Sequence, residues 1–302
     1  MRIPVIAIVG PTASGKSKLA VELARAIGGE IVSADSRQVY RGLDLGTGKI
    51  SRREMLGVPH HLLDVASPLE RFSVAQYVPL AEAAIGEVTV RSNVPIVCGG
   101  SGQYADALLR DLPIPHVPPQ AAIRAELEPR SAEELMTELM SIDPARAASI
   151  DPGNKRRIIR AIEIVRVTGK PVPVLAATAR EPFDVLWLGI ETEPAGLRAR
   201  IAQRLHERVQ LGLVREVTLL HERGLSWDRM EELGLEYRYT SRHVRGLLTR
   251  EAYLQKLTDA ICQYARRQRT WWRRHGDIRW LPPATAAAEA AKLARKFLAT
   301  PR

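Results

Sequence analysis

The sequence has only two cysteines, Cys98 and Cys262, and they do not form a Cys-X-X-Cys motif. This scarcity excludes a disulfide-rich scaffold and a zinc site built from cysteines, and it is typical of proteins in the reducing cytosol. The sequence also lacks any hydrophobic run of the roughly 20 residues that a membrane-spanning helix needs, so no membrane association is predicted. We therefore expect a cytoplasmic protein, and a length of 302 residues favours two domains over one.

Charge is distributed unequally along the chain. Residues 1–150 contain 15 basic and 17 acidic side chains, whereas residues 151–302 contain 29 basic and 17 acidic side chains. Most of the basic residues are arginines. The planar guanidinium group of arginine binds phosphate through two parallel hydrogen bonds. The second half is therefore expected to bind a polyanion, although solvated helix faces in an arginine-rich protein would produce the same imbalance.

The hydrophobic pattern predicts a parallel α/β core. An apolar run at 3–9, a helical pattern at 16–27 and a second apolar run at 30–34 follow the order of a doubly wound sheet. Further strands are predicted at 94–98 and 184–190. Long amphipathic helices are predicted at 194–210, 213–223, 251–274 and 284–299.

A proline-rich segment at 112–119 interrupts this pattern. It can form neither a helix nor a central strand, so it is interpreted as a domain boundary. The residues that follow it, 120–170, have a helical pattern. We expect an α/β core formed by 1–115 and 184–302, with a helical C-terminal part, and a helical insertion at 116–183.

The most specific motif is a phosphate-binding loop between the first predicted strand and the first predicted helix, Gly10-Pro11-Thr12-Ala13-Ser14-Gly15-Lys16-Ser17. Its glycines allow backbone N–H groups to surround phosphate oxygens, and the helix N-terminus adds partial positive charge. Lys16 is expected to bind the outer phosphates, and the Ser17 hydroxyl is a suitable ligand for Mg²⁺. The loop therefore predicts a ligand with adjacent phosphates.

An aspartate follows the second predicted strand. A motor ATPase would carry an acidic residue after the strand at 94–98, but glycines follow that strand, and Asp35 follows 30–34 instead. Because the carboxyl ends of parallel strands meet at one edge of a sheet, Asp35 is expected near the phosphate loop. Its carboxylate could bind a metal, cap a turn or accept a proton from a substrate. Groups suited to hydrogen bonding and stacking with a base follow it: Ser36, Gln38 and Tyr40.

Two further motifs are less specific. The segment 99–102 is a second glycine-rich strand end, and Tyr104 lies just inside the next predicted helix. The adjacent His60 and His61 point to opposite sides of an extended segment and lack a third ligand, so we interpret them as structural or as contacts at the edge of the substrate site.

Arginines cluster in the second half. Arg157 and Arg160 are three residues apart, so they share a helix face, while Arg200 and Arg204 lie one turn apart and could reach a diphosphate. Arginine interleaved with aromatic residues suits an RNA backbone and stacked bases, although the aromatic rings could instead pack into the core. The interleaved residues are Tyr264, Arg266, Arg267, Arg269, Trp271, Trp272, Arg273 and Arg274.

Together these segments resemble the tRNA dimethylallyltransferases, also called tRNA isopentenyltransferases. The matching motifs occur in the family order across residues 5–281, nearly the whole chain. They are GPTASGKS (10–17), DSRQVYRGLDLGTGK (35–49), PHHLLD (59–64), GGSGQY (99–104), RIIRAIE (157–163), GLVREV (212–217) and ARRQRTWWR (265–273).

The resemblance implies a P-loop NTPase-like core that transfers the dimethylallyl group of dimethylallyl diphosphate to N6 of the adenosine just 3′ of the anticodon. It further implies a Mg²⁺ cofactor held by Ser17, a tRNA anticodon stem-loop lying across core and insertion, and a monomer. Asp35 would be the general base, Thr12 would bond the bridging oxygen of the diphosphate, and Lys16 would hold the leaving group with the loop amides of 10–17 and Arg200. The residues implied to contact tRNA are Asp35, Ser36, Arg37, Gln38, Ser101, Arg124, Arg157, Arg160 and Arg267.

Four positions depart from the family pattern. Ser101 stands where threonine is usual, and Gly153-Asn154-Lys155 where Asn-Asp-Pro is frequent. Gly234-Leu235-Glu236-Tyr237 replaces the commoner Ile-Gly-Tyr-Lys, and Cys262 stands where arginine is common. None of these positions belongs to the expected catalytic set.

Two other functions fit part of the pattern. A P-loop kinase for a small molecule such as a nucleoside would use Asp35 as the base for a hydroxyl group. A nucleotide-regulated RNA-binding protein would use the same loop without catalysis. Neither alternative accounts for the family motifs, and the kinase leaves the basic second half unexplained.

Overall fold

The structure is a computed structural model that describes residues 2–112, 114–115, 117–173 and 183–300. The chain divides into two compact units, Met1–Arg110 with Glu181–Arg302 and Asp111–Arg180. Sequence patterns placed the limits of the insertion at 116 and 183; residue 116 and the segment 174–182 lie outside the described residues. No helix in the described ranges is both long and apolar enough to cross a membrane.

The larger unit is built on a six-stranded parallel sheet with the strand order β3-β2-β4-β1-β5-β6. The strands are β1 (Ile3–Val9), β2 (Gly29–Ser33), β3 (His60–His61), β4 (Val94–Gly99), β5 (Phe183–Ile190) and β6 (Arg279–Leu281). The strands predicted at 3–9, 94–98 and 184–190 are confirmed, and the one predicted at 30–34 lies one residue earlier. β3 and β6 were missed because two or three residues are too few to produce a periodic pattern.

Helices account for most of the remaining described chain. They are α1 (Lys16–Ile27), α2 (Arg52–Met55), α3 (Val74–Val90), α4 (Gly102–Leu109), α5 (Ala121–Leu127), α6 (Ala132–Ile142), α7 (Pro144–Ser149), α8 (Lys155–Thr168), α9 (Pro194–Gln210), α10 (Leu213–Glu222), α11 (Trp227–Leu233), α12 (Leu235–Val244), α13 (Arg250–Trp272) and α14 (Ala286–Leu298). The helices predicted at 16–27 and 194–210 are confirmed to the residue, and the other three long C-terminal helices to within two residues.

The sheet is covered on both faces, which explains why its central strands are almost continuously apolar. Side chains alternate along β1, so Val5, Ala7 and Val9 pack with α3 and α4 while Ile6 and Ile8 pack with α1 and α14. All five of these side chains are fully buried. A second apolar core lies among α9 to α13.

The smaller unit consists of α5 to α8, which pack around a leucine and isoleucine core. Helix α8 ends at Gly169, whose φ of 66° is the left-handed conformation that closes helices. The helical pattern predicted for 120–170 is therefore confirmed. The parallel strands of the larger unit all end at the same edge of the sheet, which is where parallel α/β sheets bind their ligands.

Candidate active site

The phosphate-binding loop follows β1 and leads directly into α1. Gly15 has a φ of 96°, which glycine adopts at little cost, and this turn allows the helix to begin at Lys16. Ala13 has a φ of 58°, an uncommon conformation for a residue with a side chain. The Lys16 ammonium donates a hydrogen bond to the Pro11 carbonyl at 3.2 Å. Burial lowers the pKa of Lys16, while the nearby Cys98 and Asp35 raise it.

A cleft of about 820 Å³ lies between the phosphate loop with the start of α1 and one face of α9. Its lining includes the side chains of Lys16, Ser17, Arg200 and Arg204. Arg200 donates to the Ala13 carbonyl at 3.1 Å, which holds its guanidinium beside the loop. Burial and then the neighbouring Arg208 lower the pKa of Arg204. The cleft therefore brings these three cations next to the backbone N–H groups of the loop, as a diphosphate site requires, although the carboxylates of Glu22, Glu54 and Glu207 also line it.

Asp35 follows β2, and its carboxylate helps to shape the turn in which it lies. Its Oδ1 accepts the backbone N–H groups of Arg37 at 2.9 Å and of Gln38 at 3.4 Å. Among the described residues, Oδ2 accepts no hydrogen bond. The nearby Asp35 carboxylate raises the pKa of Lys16, and β1 and β2 both flank β4 in the sheet. Both observations support the expectation that parallel strands bring Asp35 toward the phosphate loop. The carboxylate caps the turn through Oδ1 alone.

Ser101 connects the end of β4 to the turn after β2. Its hydroxyl oxygen accepts the backbone N–H of Ser36 at 3.1 Å, and the two side-chain oxygens are 3.5 Å apart. Burial raises the pKa of the Tyr264 phenol on α13 to about 12, and the Ser101 side chain opposes this shift.

Gln38 is held by the loop that follows it. Its amide donates to the carbonyl oxygens of Thr47 at 3.5 Å and Gly48 at 3.4 Å. Gly48 in turn packs against the guanidinium of Arg208 on α9. Arg208 lies 3.5 Å from Glu236, one of the residues that depart from the family pattern, and burial raises the pKa of that carboxyl.

Gln268 was missed by sequence reasoning although it lies in the arginine-rich motif of α13. Its Oε1 accepts the backbone N–H of Thr12 at 2.8 Å, and its Nε2 donates to the Gly100 carbonyl at 2.8 Å. A signal existed, because Gln268 continues the helical spacing of the buried residues Ile261 and Ala265 and is itself only 6% exposed. A glutamine on an apolar helix face needs polar partners, and here they are parts of the site.

Neither Tyr40 nor Trp272 is available to stack on a base. Tyr40 cannot stack on a base, because it is 2% exposed and its hydroxyl accepts the backbone N–H of Phe72 at 3.0 Å. Trp272 is fully buried in the core against the sheet. The Trp271 indole donates to Asp106 at 2.8 Å and is partly buried. The expectation for Tyr40 is therefore wrong, and for Trp272 the alternative in which the ring packs into the core is the one observed.

The predicted tRNA-contacting arginines differ in their surroundings. In the smaller unit, Arg124 and Arg160 both pair with the fully buried carboxylate of Glu163, at 2.7 Å and 2.5 Å. Arg157 is exposed, so it does not share the half-buried environment of Arg160. In the larger unit, Arg267 is exposed and its guanidinium lies 5.8 Å from the centre of the Tyr264 ring.

The two adjacent histidines both lie within hydrogen-bond distance of protein oxygens. His61 Nε2 is 2.6 Å from a Glu30 oxygen, and His60 Nδ1 is 2.9 Å from the Val58 carbonyl oxygen, which is a structural arrangement. Among the described residues, no three His, Cys, Asp or Glu side chains are grouped as a metal cage would require. Mg²⁺ at phosphates is usually held by one or two protein oxygens together with the phosphates. The exposed Ser17 hydroxyl beside Lys16 in the cleft fits that arrangement.

Comparisons with known proteins agree with this geometry. A family model described as IPP transferase matches residues 38–275, and one described as isopentenyl transferase matches residues 3–72. The tRNA dimethylallyltransferase of Roseiflexus sp. (strain RS-1) is 42% identical, covering 98% of this chain and 99% of the relative. The tRNA dimethylallyltransferase of Thermomicrobium roseum is 43% identical to this chain, and the alignment covers 92% of this chain and 86% of the relative.

Solved structures give the same result. The tRNA isopentenylpyrophosphate transferase of Bacillus halodurans superimposes with a TM-score of 0.73 at 35% identity, covering 98% of this chain and 96% of the other. A eukaryotic dimethylallyltransferase acting on tRNA superimposes with a TM-score of 0.82 at 25% identity, covering 98% of this chain and 79% of the other. The predicted P-loop NTPase-like fold is confirmed. The chain belongs to the tRNA dimethylallyltransferase, or IPP transferase, family of prenyl-transferring enzymes.

Proposed function

We propose that the protein transfers a dimethylallyl group from dimethylallyl diphosphate to N6 of the adenosine immediately 3′ of the anticodon, acting as a monomer in the cytoplasm. The observation that carries the proposal is the strand order, in which β1, which leads to the phosphate loop, and β2, which leads to Asp35, both flank β4. The nearby Asp35 carboxylate also raises the pKa of Lys16. We expect this arrangement to bring a phosphate cradle and a proton acceptor together. This is what alkyl transfer from a diphosphate to an amine requires.

The reaction breaks the bond between C1 of the dimethylallyl group and the diphosphate oxygen, and it forms a bond between C1 and N6. The electron pair of the broken bond leaves with diphosphate, and the N6 proton goes to Asp35. The exocyclic amine of adenine is a weak nucleophile, so a general base is expected to accelerate the step roughly 10²- to 10⁴-fold. Asp35 Oδ1 supports the turn, which leaves Oδ2 for the proton.

Negative charge develops on the departing diphosphate. The loop amides, Lys16, Arg200 and Arg204 supply positive charge where it forms, and fixed charges of this kind need no reorganisation during the reaction. By its resemblance to the family, the Thr12 side chain would bond the bridging oxygen, and the Thr12 backbone N–H is donated to Gln268. Ser17 would hold Mg²⁺, which would neutralise part of the diphosphate charge.

The adenosine must leave its stack in the anticodon loop to reach Asp35, at a cost of a few kcal/mol. Ser36, Arg37, Gln38 and Ser101 are proposed to line the position that the extruded base occupies. The backbone N–H groups of Ser36, Arg37 and Gln38 and the side chain of Gln38 are held by the hydrogen bonds described above, which supports an ordered acceptor site. Arg124, Arg157, Arg160 and Arg267 are proposed to contact the tRNA backbone.

A transfer assay tests the proposal. Unmodified tRNA and Mg²⁺ are incubated with ¹⁴C-labelled dimethylallyl diphosphate, or separately with γ-labelled ATP and a set of nucleosides. We expect ¹⁴C in the tRNA, mapped by nuclease digestion to the base 3′ of the anticodon, and none in a tRNA whose adenosine there is replaced by guanosine. Phosphate moving from ATP to a nucleoside, without prenyl transfer, would instead support the kinase alternative.

Salt dependence separates the same alternatives independently. A protein that neutralises about 6 tRNA phosphates should lose on the order of 10³ in affinity between 50 and 200 mM salt. A kinase for a small molecule should depend much less on salt. Tight, salt-sensitive tRNA binding without any transfer from either donor would favour the non-catalytic RNA-binding alternative.

A further inference from the structure

The side chain of Gln268 joins two parts of the site that are far apart in sequence. Its Oε1 accepts the N–H of Thr12 in the phosphate loop, 256 residues away, at 2.8 Å. Its Nε2 donates at 2.8 Å to the carbonyl of Gly100, which follows β4. Both ends of one amide are thus used, and the side chain is almost completely buried.

Helix α13 packs closely against the turn between β4 and α4. A methyl group at Gly100 would collide with the Gln268 amide and would lie 3.3 Å from the Gly10 carbonyl oxygen. A methyl group at Gly102 would collide with the Trp271 ring. The glycines of the β4–α4 turn therefore leave the space into which α13 inserts Gln268.

The Gly100 end of this bridge continues to the proposed base. Ser101, the next residue, accepts the Ser36 N–H at 3.1 Å, and Ser36 directly follows Asp35. The Thr12 end belongs to the loop that holds the leaving group. One amide side chain therefore spans from the proposed donor site to the proposed acceptor site.

We propose that Gln268 is a positioning residue that fixes the distance between the phosphate loop and the Asp35 turn, and so sets the alignment of C1 of the donor with N6 of the base. The inference rests on the proposed function and names a residue of the same site. Reacting atoms must be held about 3–3.5 Å apart and in line, and an error near 1 Å can reduce the rate about 10²-fold. A bridge that uses both atoms of one planar amide supplies such a constraint.

The bridge needs an acceptor and a donor at the same position, which distinguishes glutamine from glutamate. In Gln268→Glu, a carboxylate still accepts the Thr12 N–H but repels the Gly100 carbonyl oxygen. When the carboxyl is protonated, its O–H can donate to that oxygen and restore the bridge. Because burial favours the neutral form of a carboxyl group, this protonation is accessible below neutral pH.

Gln268→Ala, Gln268→Glu and the matched control Gln263→Ala test the inference in the full-length enzyme. Gln263 lies on the same helix but is exposed. Single-turnover transfer is measured with saturating tRNA and dimethylallyl diphosphate, together with the tRNA Kd by fluorescence anisotropy and the unfolding midpoint by circular dichroism. Relative to wild type, transfer by Gln268→Glu is followed between pH 6 and pH 9.

We expect both Gln268 variants to transfer the prenyl group at least about tenfold more slowly than wild type at pH 8. The tRNA Kd should change less than about twofold, because the substitutions alter the distance between the two substrates and not their binding. We expect the rate of Gln268→Glu relative to wild type to rise as the pH falls, and Gln263→Ala to match wild type. Dividing by the wild-type rate removes any pH dependence that the two enzymes share.

Two outcomes would overturn the inference. The first is an unchanged transfer rate in Gln268→Ala. The second is a rate loss in Gln268→Glu that does not vary with pH and is accompanied by a lower unfolding midpoint. The second result would assign Gln268 to stability alone. Failure of the proposed function is recognised separately, because the wild-type enzyme itself would then transfer no prenyl group.

Discussion

The carboxylate of Glu216 on α10 accepts the backbone N–H of Leu45 at 2.7 Å across 171 residues of sequence. The same carboxylate accepts the N–H of Gly46 at 3.0 Å and the Tyr237 hydroxyl at 2.7 Å. It thereby fixes the loop whose carbonyl groups at Thr47 and Gly48 hold Gln38. A carboxylate far from the reacting atoms thus determines where a proposed tRNA contact lies.

Glu216→Ala is expected to destabilise the protein by roughly 2–4 kcal/mol, since it leaves several partly buried donors without a charged acceptor. We also expect KM for tRNA to rise more than kcat falls, because Gln38 loses its support. Chemical denaturation and steady-state transfer kinetics measure the two effects. Glu222→Ala, on the exposed side of the same helix, should change neither quantity, and equal behaviour of the two variants would refute the role of Glu216.

The difference between what sequence patterns predicted and what they missed has a physical basis. The phosphate loop and Asp35 were found because each follows a strand, and parallel strands place their carboxyl ends together whatever the rest of the fold does. Gln268 and Glu216 contribute through contacts across more than 150 residues, which no local pattern records. Tyr40 was misjudged because a polar segment after a strand does not reveal which of its side chains turn inward.

Asp35→Asn tests the general base. We expect kcat to fall roughly 10²- to 10⁴-fold, the contribution of a positioned general base. The tRNA Kd should change little, because the amide oxygen of asparagine can still accept the N–H groups of Arg37 and Gln38. Single-turnover transfer and anisotropy measure the two quantities. Transfer within twofold of wild type would remove Asp35 from the role of base.

Acid stability is expected to depend on Glu30. The Arg91 guanidinium, together with hydrogen bonds from Asn93 and His61, lowers the pKa of this carboxyl to about 2. A carboxyl whose pKa is lower in the folded than in the unfolded state stabilises the fold above the unfolded pKa of 4.5 and loses that contribution as the pH falls toward 2. The contribution at neutral pH is about 3 kcal/mol.

Glu30→Gln should therefore be less stable than wild type by roughly 2–3 kcal/mol at pH 7 and should lose less stability between pH 4.5 and pH 2. Urea denaturation across this pH range measures both effects. Glu82→Gln, an exposed position on α3, serves as the control for removing one carboxyl. Parallel stability curves for Glu30→Gln and wild type below pH 4.5 would contradict the assignment.

Gly100→Ala provides an independent test of how closely α13 must approach the site. The added methyl group would collide with the Gln268 amide, and the Gly10 carbonyl oxygen at 3.3 Å leaves little room on the other side. Because flexible side chains yield more readily than backbone, Gln268 should be displaced and transfer should slow about as much as in Gln268→Ala. In the double variant Gly100→Ala/Gln268→Ala the shortened side chain makes room for the methyl group, so the two rate losses should not add. A double-mutant cycle on single-turnover rates measures this coupling, and strictly additive losses would show that Gly100 and Gln268 act separately.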